Sequence, residues 1–113
     1  MKVFYAKSIG RSDVAAESPA EVPFEIALEI FRGLDSRNGF LGVELDGRFV
    51  LQMAHKKSGR VRVELLDTTI PAFEAYEADC SFAEGLFRAA GAGQDVFKLA
   101  HDAPHDWEHL DMS

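Results

Sequence analysis

The sequence predicts an α+β domain, an antiparallel meander of three to four strands with two helices packed on one face. Three observations carry that reading. Residues 39–67 alternate apolar and polar side chains with a period of two, which is the spacing of a strand with one buried face. That alternation is broken twice by the same kind of turn, Glu44-Leu45-Asp46-Gly47-Arg48 and Lys56-Lys57-Ser58-Gly59-Arg60. Two stretches outside the meander instead repeat apolar residues at helical spacing: Phe24, Ala27, Leu28 and Phe31, and then Phe82, Leu86 and Ala90.

Turn type sets the register of the meander. Two-residue loops at Asp46-Gly47 would pair Val43 with Val50 and Leu41 with Gln52, mixing polar and apolar residues on both faces. Three-residue loops with glycine in the left-handed region pair Glu44 with Arg48, Val43 with Phe49 and Leu41 with Leu51. The same loop at Gly59 sets Met53 opposite Val63, Leu51 opposite Leu65 and His55 opposite Val61. One face then carries Leu41, Val43, Phe49, Leu51, Met53, Val61, Val63 and Leu65. The other carries Phe40, Glu44, Arg48, Val50, Gln52, Arg62, Glu64 and Leu66. A sheet patterned in this way is covered on one side only.

The remaining elements follow in order. Residues 2–8 have strand propensity through Val3, Phe4 and Tyr5, with no partner legible. Residues 10–18 read as a loop. Ser18-Pro19-Ala20-Glu21 has the form of a capping box, but Pro23 would clash inside a helix begun there, so the helix starts near Pro23 and runs to Gly33 or Leu34. Residues 35–39 lead into the meander. Residues 72–79 show no clear period and are expected to be irregular, anchored by Phe73 and Tyr76. Ser81-Phe82-Ala83-Glu84 is a capping box for the second helix, which Gly91-Ala92-Gly93 stops. Gly85 within it suggests close packing on the sheet. Residues 94–113 form a tail or short helix from Pro104, with Trp107 and Leu110 as apolar anchors.

The 113 residues are read as one domain. No apolar run is long enough to span a bilayer and no leader segment is visible, so no membrane role is expected. The single cysteine, Cys80, excludes an internal disulfide and suits a reducing compartment, the cytoplasm. The net charge of −7 is uneven. Residues 1–66 hold ten Lys/Arg against nine Asp/Glu, and residues 67–113 hold two against ten, a net of −8. Such an acidic half repels phosphates, which argues against nucleic acid and favours a basic protein partner.

Few residues suggest chemistry. His101, His105 and His109 are spaced four apart, but Pro104 interrupts a continuous helix, so at most His105 and His109 share a face and stand as weak metal candidates. Cys80 precedes a helix start, where a thiolate is favoured, yet no base lies near it in sequence; a small buried thiol is expected. His55 reads as a hydrogen-bonded histidine at the core's edge. Lys56, Lys57, Arg60 and Arg62 cluster on one hairpin and read as a solvated turn. No phosphate loop, nucleophile elbow or dinucleotide fingerprint occurs. No catalytic residue and no cofactor are therefore assigned.

At Asn38-Gly39-Phe40-Leu41-Gly42-Val43-Glu44-Leu45, Arg48-Phe49-Val50-Leu51-Gln52-Met53 and Arg62-Val63-Glu64-Leu65, the chain resembles small acidic bacterial proteins that neutralise toxins as immunity proteins. The resemblance implies a cytoplasmic, non-enzymatic protein that occludes a toxin, and it transfers no individual binding residue. The charge split and residue types nominate Phe73, Glu74, Tyr76, Glu77, Asp79, Glu84, Asp102, Asp106, Trp107 and Glu108 as the partner-binding set. Two other readings stand beside it: a small hydrolase or metal-dependent enzyme built on Cys80 or the tail histidines, and an accessory protein that homodimerises through Phe40, Val50 and Leu66.

Overall fold

In the computed structural model, the meander is the middle of a seven-stranded antiparallel sheet. The structure describes residues 1–6, 13–15, 18–34, 39–45, 47–70, 72–102 and 107–111. The elements are β1 (Lys2–Ala6), β2 (Ala20–Glu21), α1 (Phe24–Arg32), β3 (Phe40–Glu44), β4 (Phe49–His55), β5 (Val61–Asp67), β6 (Ala72–Ala78), α2 (Cys80–Gly91), α3 (Val96–Asp102) and β7 (Glu108–Asp111). The sheet order is β2-β1-β3-β4-β5-β6-β7. The α+β class and the meander are as the sequence implies, but the sheet is wider and a third helix is present.

The second hairpin has the expected register: Leu51 faces Leu65, Met53 faces Val63 and His55 faces Val61. The first differs. Val43 faces Leu51 and Leu41 faces Met53, so the turn carries Gly47 and Arg48 and Leu45 donates its N–H to the Phe49 carbonyl at 3.0 Å. A slip of two residues leaves every side chain on its original face, so the core list survives a wrong register. Arg48 shows what holds the shifted loop. Its guanidinium forks onto the Asp67 carboxylate at 2.8–3.2 Å, and its carbonyl accepts from the Thr68 N–H and hydroxyl. Gly47 and Gly59 have φ of 83° and 84°, the left-handed region that both loops require.

Four further expectations are corrected. Residues 72–78 are a strand, not an irregular segment: Phe73, Ala75 and Glu77 alternate with Glu74, Tyr76 and Ala78. The tail gives α3 and then strand β7, antiparallel to β6, in place of a helix from Pro104; residues 103–106 lie outside the described residues. Helix α2 starts one residue before the capping box, with Asp79 as its N-cap and no side-chain cap bond. Gly85 is exposed, and a Cβ added there would meet nothing from the rest of the structure within 4 Å, so it does not mark close packing. Ala20-Glu21, which the Pro23 argument already kept out of the helix, pair with β1. Helix α1 runs from Pro23 as its N-cap to Gly33, as expected.

The helices share one face of the sheet. Phe31 of α1 stacks on Phe87 of α2 at 5.7 Å, Phe24 lies 5.6 Å from Phe87, and Phe97 of α3 lies 4.4 Å from Phe49. Beneath them Val3, Leu41, Val43, Leu51, Met53, Val61, Val63, Leu65 and Tyr76 are at most 2% exposed. Each such burial is worth roughly 1.5–3 kcal/mol before chain entropy is counted. His55 closes one edge: its Nε2 is 2.9 Å from the Phe31 carbonyl and its ring is 4.8 Å from the Phe31 ring. It is the hydrogen-bonded histidine the sequence suggests.

Candidate functional site

The opposite face of the sheet carries no described helix. Its side chains come from the alternate residues of the same strands, so register arranges them in rows. One row is Lys2, Glu44, Val50, Leu66 and Phe73; the next is Phe4, Gly42, Gln52, Glu64, Ala75 and Glu108. Ala6 and Phe40 lie side by side on β1 and β3, and Ala54, Arg62 and Glu77 continue the third row.

This outer face is more apolar than an ordinary solvated one. Val50, Phe4, Ala6 and Ala75 are buried there without belonging to the helix-side core. Phe40, Leu66, Phe73 and Ala54 are half-buried. Phe4 and Phe40 meet edge to face at 6.2 Å. The Phe4 ring lies flat over Gly42, where a Cβ would come within 2.1 Å of it. Only a residue without a side chain lets the ring settle on the sheet.

Among these apolar groups sits Glu64, on the interior strand β5, between Gln52 and Ala75. It is half-buried, and no described hydrogen bond or ion pair reaches its carboxylate. Burial raises its pKa above the ordinary carboxylate value, against the opposing pull of Arg62 and Lys56. Arg62 is engaged elsewhere, with its Nη1 at 3.2 Å from Glu108.

The nominated partner-binding residues divide among three places. Phe73, Glu77 and Glu108 are on the outer face. Glu74, Tyr76 and Trp107 are on the helix face, at the corner where α3 meets β6 and the start of β7. Asp79 and Glu84 are at the beginning of α2. Tyr76 is 1% exposed and belongs to the core, so it is no surface anchor, and its burial holds the phenol un-ionised well above the usual range. Trp107 is also engaged, packing edge-on to Tyr76 at 4.3 Å. Glu84 holds Arg32 at 2.8 Å and Arg88 at 3.6 Å, and the Arg32 bond draws its pKa down. Asp79 lies 3.6 Å from Arg60. Asp102 is exposed at the end of α3, and Asp106 lies outside the described residues. The acidic half is therefore not one continuous patch.

The α3 corner is a built cluster. His101 stacks on Trp107 at 4.5 Å and 9°, with Phe97 at 6.0 Å. Its Nδ1 is 2.7 Å from the Phe97 carbonyl and its Nε2 is 2.6 Å from Glu74. Both ring nitrogens face acceptors, which the imidazolium alone satisfies. Partial burial pulls its pKa down, and the bonds to Phe97 and Glu74 with the nearby Asp102 outweigh that and raise it.

Cys80 is exposed in the first turn of α2, contrary to the expectation of a buried thiol. His105 lies outside the described residues, and nothing is described of the His109 side chain. Among the described residues no three His, Cys, Asp or Glu side chains gather as a metal site. Half of the basic hairpin cluster is occupied: Arg60 donates to the Glu77 carbonyl and Arg62 pairs with Glu108. A groove of about 540 Å³ between Leu45, Phe49, Ala90 and Phe97 has Asp95 as its only titratable side chain, and Asp95 accepts from the Lys98 N–H. None of the described helices is long and apolar enough to cross a membrane.

The residues that sequence reasoning passed over are Glu64, Gln52 and Phe4. The available signal was Glu64 itself, a charge at the middle of the strand Val61-Arg62-Val63-Glu64-Leu65-Leu66. Compared with known proteins, the chain matches no family model, no curated protein and no solved structure.

Proposed function

We propose that this is a non-enzymatic protein-binding module that meets a basic protein through the outer face of its sheet, in the manner of an immunity protein occluding a toxin. The observation that carries this is the row Val50, Leu66 and Phe73 lying beside Glu64 on a sheet face no described helix covers. Half-buried apolar side chains ringed by charge make the usual centre and rim of an interface. The charged side chains of this face are Lys2 and Arg62 against Glu44, Glu64, Glu77 and Glu108, an acidic balance that favours a basic partner. The resemblance of the meander to immunity proteins falls on these same strands. An exposed lone thiol suits the reducing cytoplasm, where we place the encounter.

The test is binding kinetics against the protein encoded beside this one, at low and high salt. Association slows as salt rises, because complementary fields steer the encounter. Phe73→Ala and Leu66→Ala each speed dissociation by about tenfold, the size expected of interface anchors. Cys80→Ser leaves both rates unchanged. Absence of binding to that neighbour, or rates indifferent to salt and to both outer-face substitutions, removes the reading. An activity lost in Cys80→Ser with the fold intact moves the hydrolase reading ahead.

A further inference from the structure

We infer that Glu64 is the receptor for a cationic side chain, an arginine or lysine that a basic protein partner lays across the middle of the outer sheet face. The inference rests on the protein-binding reading and assigns its central contact.

Three features of the site point to a cation. The carboxylate is on β5, an interior strand next to the middle of the sheet, flanked by Gln52 on β4 and Ala75 on β6, with Leu66 two residues along. These neighbours supply no cation. Arg62, the nearest basic residue on the same strand, is turned to Glu108 on β7. Glu64 is thus half-desolvated with none of its oxygens bonded among the described residues, while Glu108, beside Ala75 on the same face, is paired with Arg62.

A half-buried unbonded carboxylate costs free energy in the unbound protein. A guanidinium or ammonium seated on it recovers that cost through charge-assisted hydrogen bonds. Gln52 adds a side-chain carbonyl that accepts a further N–H from the same fork. Half-buried Leu66, with Phe73 beside it, offers apolar surface to the methylene stem of a long cationic side chain. A phosphate or carboxylate ligand meets the wrong sign here.

The experiment uses the full chain and an oligoarginine peptide, followed by amide and side-chain carboxyl NMR. Shift changes are expected to concentrate at Gln52, Glu64, Leu66 and Ala75, with the Glu64 carboxyl titrating at lower pH in the complex than alone. Glu64→Gln keeps the shape and weakens the peptide by about tenfold, the size of one charge-assisted bond. Glu29→Gln, an exposed acid on helix α1 of the opposite face, removes the same charge and leaves this affinity within about twofold, as expected of a remote screened charge. Shifts spread over the α2 and β7 acids, or equal affinity of Glu64→Gln and the unmodified protein, overturn the site. So does sedimentation showing that this face pairs with a second copy. If the neighbouring protein binds and Glu64→Gln makes no difference, this inference fails while the binding-module reading stands; if the neighbour does not bind, the broader reading fails first.

Discussion

Along β5, Val61, Val63 and Leu65 are at most 2% exposed, while Arg62, Glu64 and Leu66 on the opposite pleat are only half-buried. The first set lies in the core on the helix side of the sheet and contains no polar atom beyond the backbone. The second mixes a cation, an anion and an apolar side chain. Burial against helices accepts only shape and hydrophobicity, so the covered face carries stability. The outer face makes fewer packing demands and can hold groups that stability does not need, such as a carboxylate with no partner among the described residues.

The largest expected effect tests whether the faces really divide in this way. Leu51→Ala on the covered face should cost about 3–4 kcal/mol in urea unfolding, as deletions of fully buried leucines do. Its sequence neighbour Val50→Ala, on the outer face, should cost about 1 kcal/mol, because that side has less structure to leave a cavity in. Equal losses would make the outer face a second core and break the comparison.

Gly42 sharpens it. Gly42→Val places a side chain where the Phe4 ring lies, and should destabilise by about 2 kcal/mol through overpacking. In a Phe4→Ala background the same change should cost much less, and a double-mutant cycle gives the coupling. Simple additivity would mean that Phe4 does not rest on Gly42.

Histidine chemistry separates the faces by pH. The His101 pKa is raised in the folded protein, so its contribution to stability is full below the unfolded value of about 6.5 and is lost as pH rises through the folded value. Because the pair is partly exposed, the change should be no more than about 1 kcal/mol. Trp107, the chain's single tryptophan, stacks on His101, so its fluorescence should follow the same titration. Glu74→Gln should shift that titration to lower pH. An unmoved midpoint would show that the bond to Glu74 is not what holds the proton.

Glu64 gives the smallest effect and the opposite sign. Its raised pKa means that the ionised form weakens the fold, so the penalty is absent at acid pH and develops as pH rises through the folded value. Glu64→Gln should therefore stabilise at neutral pH by about 0.5 kcal/mol or less, and by nothing in acid. A loss of stability at neutral pH would show that the carboxylate is already satisfied.

Much of the fold was legible because its strongest signals are local. Gly47 and Gly59 announce their turns, and the stripe from Phe24 to Phe31 announces α1. The first hairpin's register was not legible, since alternation repeats every two residues and a two-residue slip costs nothing in pattern; the deciding contact, Arg48 with Asp67, is long-range. Strand β6 was hidden because it puts a glutamate on each face, Glu74 toward His101 and Glu77 outward. The tail was misread because Pro104 followed by Trp107 and Leu110, three residues apart, imitates a short helix, whereas β7 is held by pairing with β6. For the candidate site, residue type nominated Tyr76 and Trp107 as anchors, but aromatic rings suit a core as well as an interface. Glu64 stood in plain sight on the outer face; what the sequence could not give was that its neighbours would bury it without bonding it.

The order of the sheet also has a kinetic consequence. From β3 to β6, strands adjacent in sequence are adjacent in space, joined by short turns. Strand β1 reaches β3 only across α1, and β7 reaches β6 only across α2 and α3. Closing short loops costs less chain entropy and happens faster. The meander should therefore form first, with the outlying strands joining once the helices have docked. In hydrogen exchange the amides of β4 and β5 should be the slowest to open, and β7, with a single strand beside it, should be released well before the centre of the sheet.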